Sequence, residues 1–391
     1  MGNATSTSTR DLNRAGQTLL GSFYRGAFPA GSEPDPDGTR HIVLYNTMDR
    51  PPGEHWLAEY REGDMRLLYD SFKETTDRRN FLLASAAGFS GIAMAGTFGV
   101  NIARAAINDP TLAWSYRNRT NPYWNEIVTG GEAFIQSIGK SNDDLTHLIN
   151  EGSSEKSLAD VKALLAKTNG ELALAIDTND APNCRPVVEA VAEAGGFVST
   201  IWNKTDDLHP WDFGDNYVSH MTWSDEGPAE QTARILFDAM GGKGGVVHLG
   251  GIASNNPAIE RLNGLKNAMK DYPGIELLAA EPADWDTQKA NQVMSAFLTR
   301  YGDEIKGVHC ANDTIAYGAL EALRAEGIEG MPIVSYDGNP EAVELVGAGK
   351  ILATVFTNPH WGGGITAALA YHAAIGSFKP SEEPNAHREF Y

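Results

Sequence analysis

The sequence predicts an α/β protein built on parallel sheets, and two observations carry that prediction. The first is alternation: Ser157 to Lys167 reads as a helix, Leu172 to Ile176 as a strand, Pro186 to Ala194 as a helix and Phe197 to Ile201 as a strand. Strands separated by helices pair in parallel through right-handed crossovers. The second is a recurring strand end. The apolar run Gly307 to Ala311 hands over at Asn312-Asp313 to an Ala/Leu-rich helix, Pro332 to Tyr336 ends in Asp337-Gly338, and Ile351 to Phe356 runs into Thr357-Asn358-Pro359. In an open α/β sheet, small ligands bind at the carboxyl ends of strands. Asn312, Asp337 and Thr357 are therefore expected to ring one polar pocket.

The remaining elements follow along the chain. Leu112 to Tyr116 is a short strand, and Asn121-Pro122-Tyr123-Trp124 opens a helix toward Ile138. Pro122 suits a first helical turn, which leaves Asn121 as a cap or a ligand contact. The strand starting at Phe197 ends in Trp202-Asn203-Lys204, and His209 to Asp215 forms an aromatic loop that either closes over a ligand or caps its lobe. Val218 to Trp223 leads to Ser224-Asp225; Gly227 to Met240 is a helix and Gly245 to Leu249 a strand, followed by Gly250-Gly251 and Asn255-Asn256. Neither GxGxxG nor GxxxxGK[ST] occurs there, so these glycines do not form a nucleotide loop. Trp285, in the turn Pro282 to Asp286, is either a cleft-lining or a surface aromatic.

Composition sets the outer bounds. The chain has 391 residues, enough for two or three domains, and a formal net charge of −20. Residues 1–105 carry 11 Lys/Arg against 12 Asp/Glu, leaving 20 against 39 for the rest. Such an acidic surface disfavours phosphate backbones and anionic membranes, so nucleic acid is excluded as a partner. Cys184 and Cys310 match neither zinc-ligand nor CxxC spacing and read as buried thiols.

The order Asn121-Pro122-Tyr123-Trp124, Asn312, Asp337-Gly338 and Thr357 resembles the periplasmic sugar-binding proteins of ABC importers, of the ribose-binding type, over about residues 111 to 380. The resemblance implies two Rossmann-like lobes with parallel sheets joined by a three-stranded hinge, the type I periplasmic binding fold. Lobe 1 would combine residues 111–224 with 358–376, and lobe 2 would span 225–357. It implies binding without chemistry: no catalytic residue, cofactor or metal. A neutral monosaccharide or polyol would be held in the cleft and delivered to ABC permease membrane subunits, and docking to a chemoreceptor is compatible with the same lobes. Asn121, Asn203, Asn312 and Asp337 would hydrogen-bond hydroxyls, with Asp337 ionised and accepting two of them unless it caps the helix at Pro340. Asn255 and Thr357 would add polar contacts. Tyr123, Trp124 and Trp202 would cover the apolar C–H faces of the ring, unless the first two only plug the helix against its sheet. Two departures stand out: Trp202-Asn203 replaces an Asp-Arg pair, and Ile259 takes the place of a ligand-contacting Arg, leaving Arg261 with a structural role.

Upstream, Thr76-Asp77-Arg78-Arg79-Asn80-Phe81-Leu82-Leu83 opens a stretch with no charge until Arg104 and ends in Ala103-Arg104-Ala105. Residues 73–105 resemble a twin-arginine export signal and imply a periplasmic location; a membrane anchor or buried helix is the other reading. Gly88, Gly91, Gly96 and Gly99 make the run a poor helix former. Residues 1–72 form an extension or fused fragment, expected to be poorly ordered. Within them, a strand from Gly53 to Tyr60 and another from Met65 to Tyr69 resemble the first half of adenovirus- and SUMO-type cysteine endopeptidases, with His55 as base and Asp70 as acid. No cysteine follows before Cys184, so this half-triad has no nucleophile. The lactose-repressor family shares the two-lobed fold, yet it needs a basic helix-turn-helix where this chain carries the signal-like segment.

Overall fold

The computed structural model of the chain describes residues 40–44, 56–60 and 106–390. The expected signal and the His55/Asp70 pair lie outside the described residues. In chain order the elements begin with β1 (Arg40–Leu44), β2 (Trp56–Tyr60), β3 (Thr111–Tyr116), α1 (Pro122–Ser137), β4 (Leu145–Ile149), α2 (Ser154–Thr168), β5 (Leu172–Asp177), α3 (Ala181–Ala194), β6 (Phe197–Ile201) and β7 (Tyr217–Met221). They continue with α4 (Glu226–Ala239), β8 (Lys243–Gly250), α5 (Asn256–Met269), β9 (Gly274–Pro282), α6 (Thr287–Tyr301), β10 (Ile305–Cys310), α7 (Asp313–Ala325), β11 (Ile333–Val334), α8 (Pro340–Gly347), β12 (Ala353–Phe356), α9 (Pro359–Ala374) and β13 (Glu389–Phe390).

These strands form two sheets, ordered β13-β7-β6-β5-β3-β4 in one lobe and β2-β1-β12-β11-β10-β8-β9 in the other. Every pairing is parallel except β1 with β2. Both faces of each sheet are covered, which is why a central strand such as β5 reads as an unbroken apolar run buried along its length. In lobe 1, Trp114, Ile127 and Phe134 fill the side under α1 and α9, and Val161, Leu165, Val187 and Val188 fill the side under α2 and α3. In lobe 2, Met294, Phe297 and Ile315 pack on one face, and Leu236, Phe237 and Leu265 on the other. Cys184 and Cys310 are free and buried, one in each lobe. The two-lobed parallel α/β architecture is as expected.

Close backbone contact joins α1 to α9. A Cβ on Gly130 would lie 1.8 Å from the His360 carbonyl oxygen, and one on Gly363 1.8 Å from that of Ile127. Only glycine fits at either position, and the contact brings the Gly363 carbonyl to 3.1 Å from the Trp114 indole N–H, which donates to it.

Among the described residues the chain passes between lobes after β7 and again after β12, and beyond α9 it continues on lobe 1, where β13 lengthens the sheet beside β7. Buried polar groups hold it there. The Arg388 guanidinium donates to the carbonyls of Val218, Pro210, Gly214 and Tyr217. Glu389 pairs with Lys204 at 2.6 Å, both side chains 7 % exposed, and accepts from His209 at 2.8 Å. The aromatic loop His209 to Asp215 thus caps lobe 1 beneath the tail, with His209 stacked on Trp211 at 4.4 Å. No helix among the described residues is long and apolar enough to cross a membrane.

Candidate ligand-binding cleft

The carboxyl ends of both sheets face one another across a cleft whose empty space, open mouth included, is about 400 Å³. Asn121, Tyr123, Trp124, Trp202, Asn203, Asn255, Asn312 and Asp337 all line it, joined by Arg117, Asp177, Pro257, Arg261 and Trp285. Thr357, also expected there, is buried to 1 % exposure but lies outside the lining; its amide is 3.4 Å from the Asp337 carbonyl and its hydroxyl has no partner. The strand had already ended at Phe356, and the left-handed turn at Asn358 starts α9 directly after it.

Lobe 2 supplies an acidic wall. Asn312 caps α7 by accepting from the Ile315 N–H at 3.0 Å and donates its amide to Asp337 Oδ2 at 3.0 Å. Asp337 does not cap α8, whose N-cap position is Asn339. It sits at φ 110°, a conformation costly for an L-residue. Its backbone is held by Val355 at 2.8 Å, and the buried Asp313 carboxylate pins the same loop by accepting from Ser335 Oγ, Thr354 Oγ1 and the Asn339 N–H. Burial pushes the Asp337 carboxyl well above its ordinary range, against the downward pull of Arg261. The physical reason is that Asp313 and Asp225 add like charge nearby while water is excluded.

Arg261 lines the cleft as well. Its Nε donates to Asp225 Oδ2 at 2.8 Å and its Nη1 to the Ala311 carbonyl at 2.8 Å, while the guanidinium lies over the Tyr336 ring at 3.7 Å. Tyr336 in turn donates to Asp225 Oδ1 at 2.8 Å. Its structural role stands, since these bonds bind the first lobe crossing to lobe 2. Ile259, on the same helix, is turned outward at 49 % exposure.

Aromatic rings form the apolar walls. Tyr123 and Trp124 meet edge to face at 5.2 Å, and the Trp202 indole N–H donates to the Tyr123 hydroxyl at 2.8 Å. Trp285 enters from lobe 2 over Gly251, where a Cβ would sit 1.9 Å from the indole ring. Asn179, Trp202, Trp285 and Asp337 all have positive φ, so backbone strain gathers around the cleft. Asn121 spends its carbonyl oxygen on the Tyr123 N–H at 3.0 Å, which makes it both helix cap and cleft residue.

The lobes touch through amides. Asn255 donates to the Asn179 carbonyl and accepts from the Trp285 indole at 2.6 Å. Asn203 accepts from the Asn256 N–H at 3.1 Å and donates to Asp177 at 2.8 Å; the Asn256 side chain donates to the Lys204 carbonyl at 3.2 Å. Much of the hydrogen-bonding capacity of Asn203 and Asn255 is therefore committed to holding the lobes together.

Arg117, Asp177 and Arg261 escaped sequence reasoning as cleft residues. Asp177 had a signal, since it ends a strand; Arg117 stands in a polar run that resembles any exposed turn.

Two α/β lobes meeting on an aromatic-walled polar cleft define a hinged ligand-binding protein rather than an enzyme. Among the described residues, no group of three or more His, Cys, Asp or Glu could hold a metal. The chain belongs to the periplasmic binding protein family: residues 112–377 match the profile of the periplasmic binding protein domain. It is 30% identical over 263 residues to the D-allose-binding periplasmic protein of Escherichia coli K12, covering 67% of this chain and 83% of that one. It is 28% identical over 271 residues to the ribose import binding protein RbsB of the same organism, covering 69% of this chain and 85% of that one. Among solved structures, a protein of Burkholderia phytofirmans described as a twin-arginine translocation pathway signal protein superposes with a TM-score of 0.69 at 46% identity, over 72% of this chain and 88% of that chain.

Proposed function

We propose that the chain is the solute-binding component of an ABC import system, taking a neutral monosaccharide or polyol between its lobes and delivering it to membrane permease subunits. The observation that carries this reading is the composition of the cleft: Tyr123, Trp124, Trp202 and Trp285 line one space together with Asn121, Asn312 and Asp337. Sugars present apolar C–H faces to rings and paired hydroxyls to planar polar groups, so such a lining suits them. Asn312, Asp337 and Asn121 bond hydroxyls and the rings cover the faces, while Asn203 and Asn255 act through lobe closure. The allose- and ribose-binding relatives support the same ligand class.

Lobe 1 is built on residues 111–224 and 358–376 and lobe 2 on residues 225–357, with β13 added to the edge of the first sheet and β1 and β2 to the edge of the second. Export through residues 73–105 by a twin-arginine type signal is supported by their sequence and by the description of the Burkholderia relative. The test is thermal unfolding of the chain against pentoses, hexoses and alditols. A ligand at 100 times its dissociation constant stabilises by about 2.7 kcal/mol. A shift with one or a few of them is expected; a shift only with amino acids or other small metabolites would keep the fold and overturn the ligand class.

A further inference from the structure

Arg117 follows the last residue of β3, and Asp177 ends β5, its parallel neighbour. Both side chains therefore leave adjacent strands at the end that faces the cleft, and both line it. Arg117 is 6 % exposed, yet its Nε–H is buried without a hydrogen-bond partner, and the carboxyl groups of Asp177, Asp284 and Asp180 offset its burial only through space. A buried charged donor left unmatched is unfavourable. Asp177 is buried as well, with its Oδ1 taken by Asn203.

We propose, building on the sugar-binding reading, that Arg117 and Asp177 are specificity-determining residues that together take one hydroxyl of a neutral ligand on the lobe 1 wall, across from Asn312 and Asp337. The hydroxyl oxygen accepts from the Arg117 guanidinium and donates its proton to the Asp177 carboxylate. A hydroxyl serves both because it accepts and donates at once. A ligand carboxylate serves only Arg117 and is repelled by Asp177. The pair thus selects for a hydroxyl at that end and against sugar acids.

The test is calorimetric titration of D-ribose, D-allose and xylitol, the monodeoxy analogues of the two sugars, and ribonate and allonate, into the unaltered chain, Arg117→Leu and Asp177→Asn. Arg117→Leu is expected to unfold at the same or a higher temperature while binding the preferred neutral ligand about 10- to 100-fold more weakly, the size of a lost hydrogen bond to a charged group. One deoxy analogue should show the same loss in the unaltered chain and no further loss in Arg117→Leu. Asp177→Asn provides the same cycle independently should Arg117→Leu fail to fold. Unchanged affinity in the variants, or tighter binding of the acids than of their neutral parents, overturns the proposal while sugar binding stands. Failure of the unaltered chain to bind any panel member overturns both.

Discussion

Asp337 carries the sharpest conflict at the scale of single residues, being buried, held at positive φ and surrounded by other carboxyl groups. Asn is the replacement that keeps its shape and tolerates that backbone. In Asp337→Asn, thermal unfolding without sugar should occur at an equal or higher temperature at pH 7, because a group that resists ionisation is gone. Sugar-induced stabilisation should fall by at least about 1.4 kcal/mol, a tenfold loss of affinity. A variant with lower unfolding temperature and intact sugar shift would refute the assignment. Residues like Asp337 and Asn312 were legible in the sequence because a polar side chain that closes an apolar strand stands at the sheet edge where ligands bind. Arg117 was not, since its place in the cleft depends on β3 lying inside the sheet, which only the tertiary arrangement reveals. Thr357 shows the converse: it also follows a strand, but the next residue turns the chain into α9 and its hydroxyl falls outside the lining.

At the scale of elements, the alternation of strand and helix predicted β5, α3 and β6 to within a few residues, because fully buried parallel strands leave long apolar runs between helices. The two-residue β13 has no such pattern and was invisible; it exists through Arg388 and Glu389, whose partners lie roughly 170 to 185 residues upstream. Glu389→Gln leaves the Lys204 ammonium buried without its counter-charge. Breaking a buried pair in this way costs about 3–5 kcal/mol, so the urea midpoint should fall accordingly, and Lys204→Met combined with Glu389→Leu should recover most of it. No change in midpoint for Glu389→Gln would mean that β13 adds nothing to the lobe.

At the scale of the whole molecule, Glu260 and Asp313 favour mild acid, whereas His220, His248 and His309, kept neutral by burial, favour mild base. Burial, with Asp225 adding like charge, raises Glu260 from 4.5 to about 7, and burial raises Asp313 from 3.8 to about 7. Between the unfolded and folded values the native chain holds protons that the unfolded chain releases, so stability falls as pH rises through that window. For Glu260 the loss is on the order of 2–3 kcal/mol. The change in urea midpoint from pH 8 to pH 5 should therefore be less favourable in Glu260→Gln than in the unaltered chain; an identical change in both would contradict this. The two-lobed plan was legible from three strand ends and the run around Tyr123, but the route of the tail was not. The hydrogen bonds from Asn255 and Asn256 to Asn179, Asn203 and Lys204 fasten the rims of the two lobes to each other, as a clasp fastens the two halves of a purse.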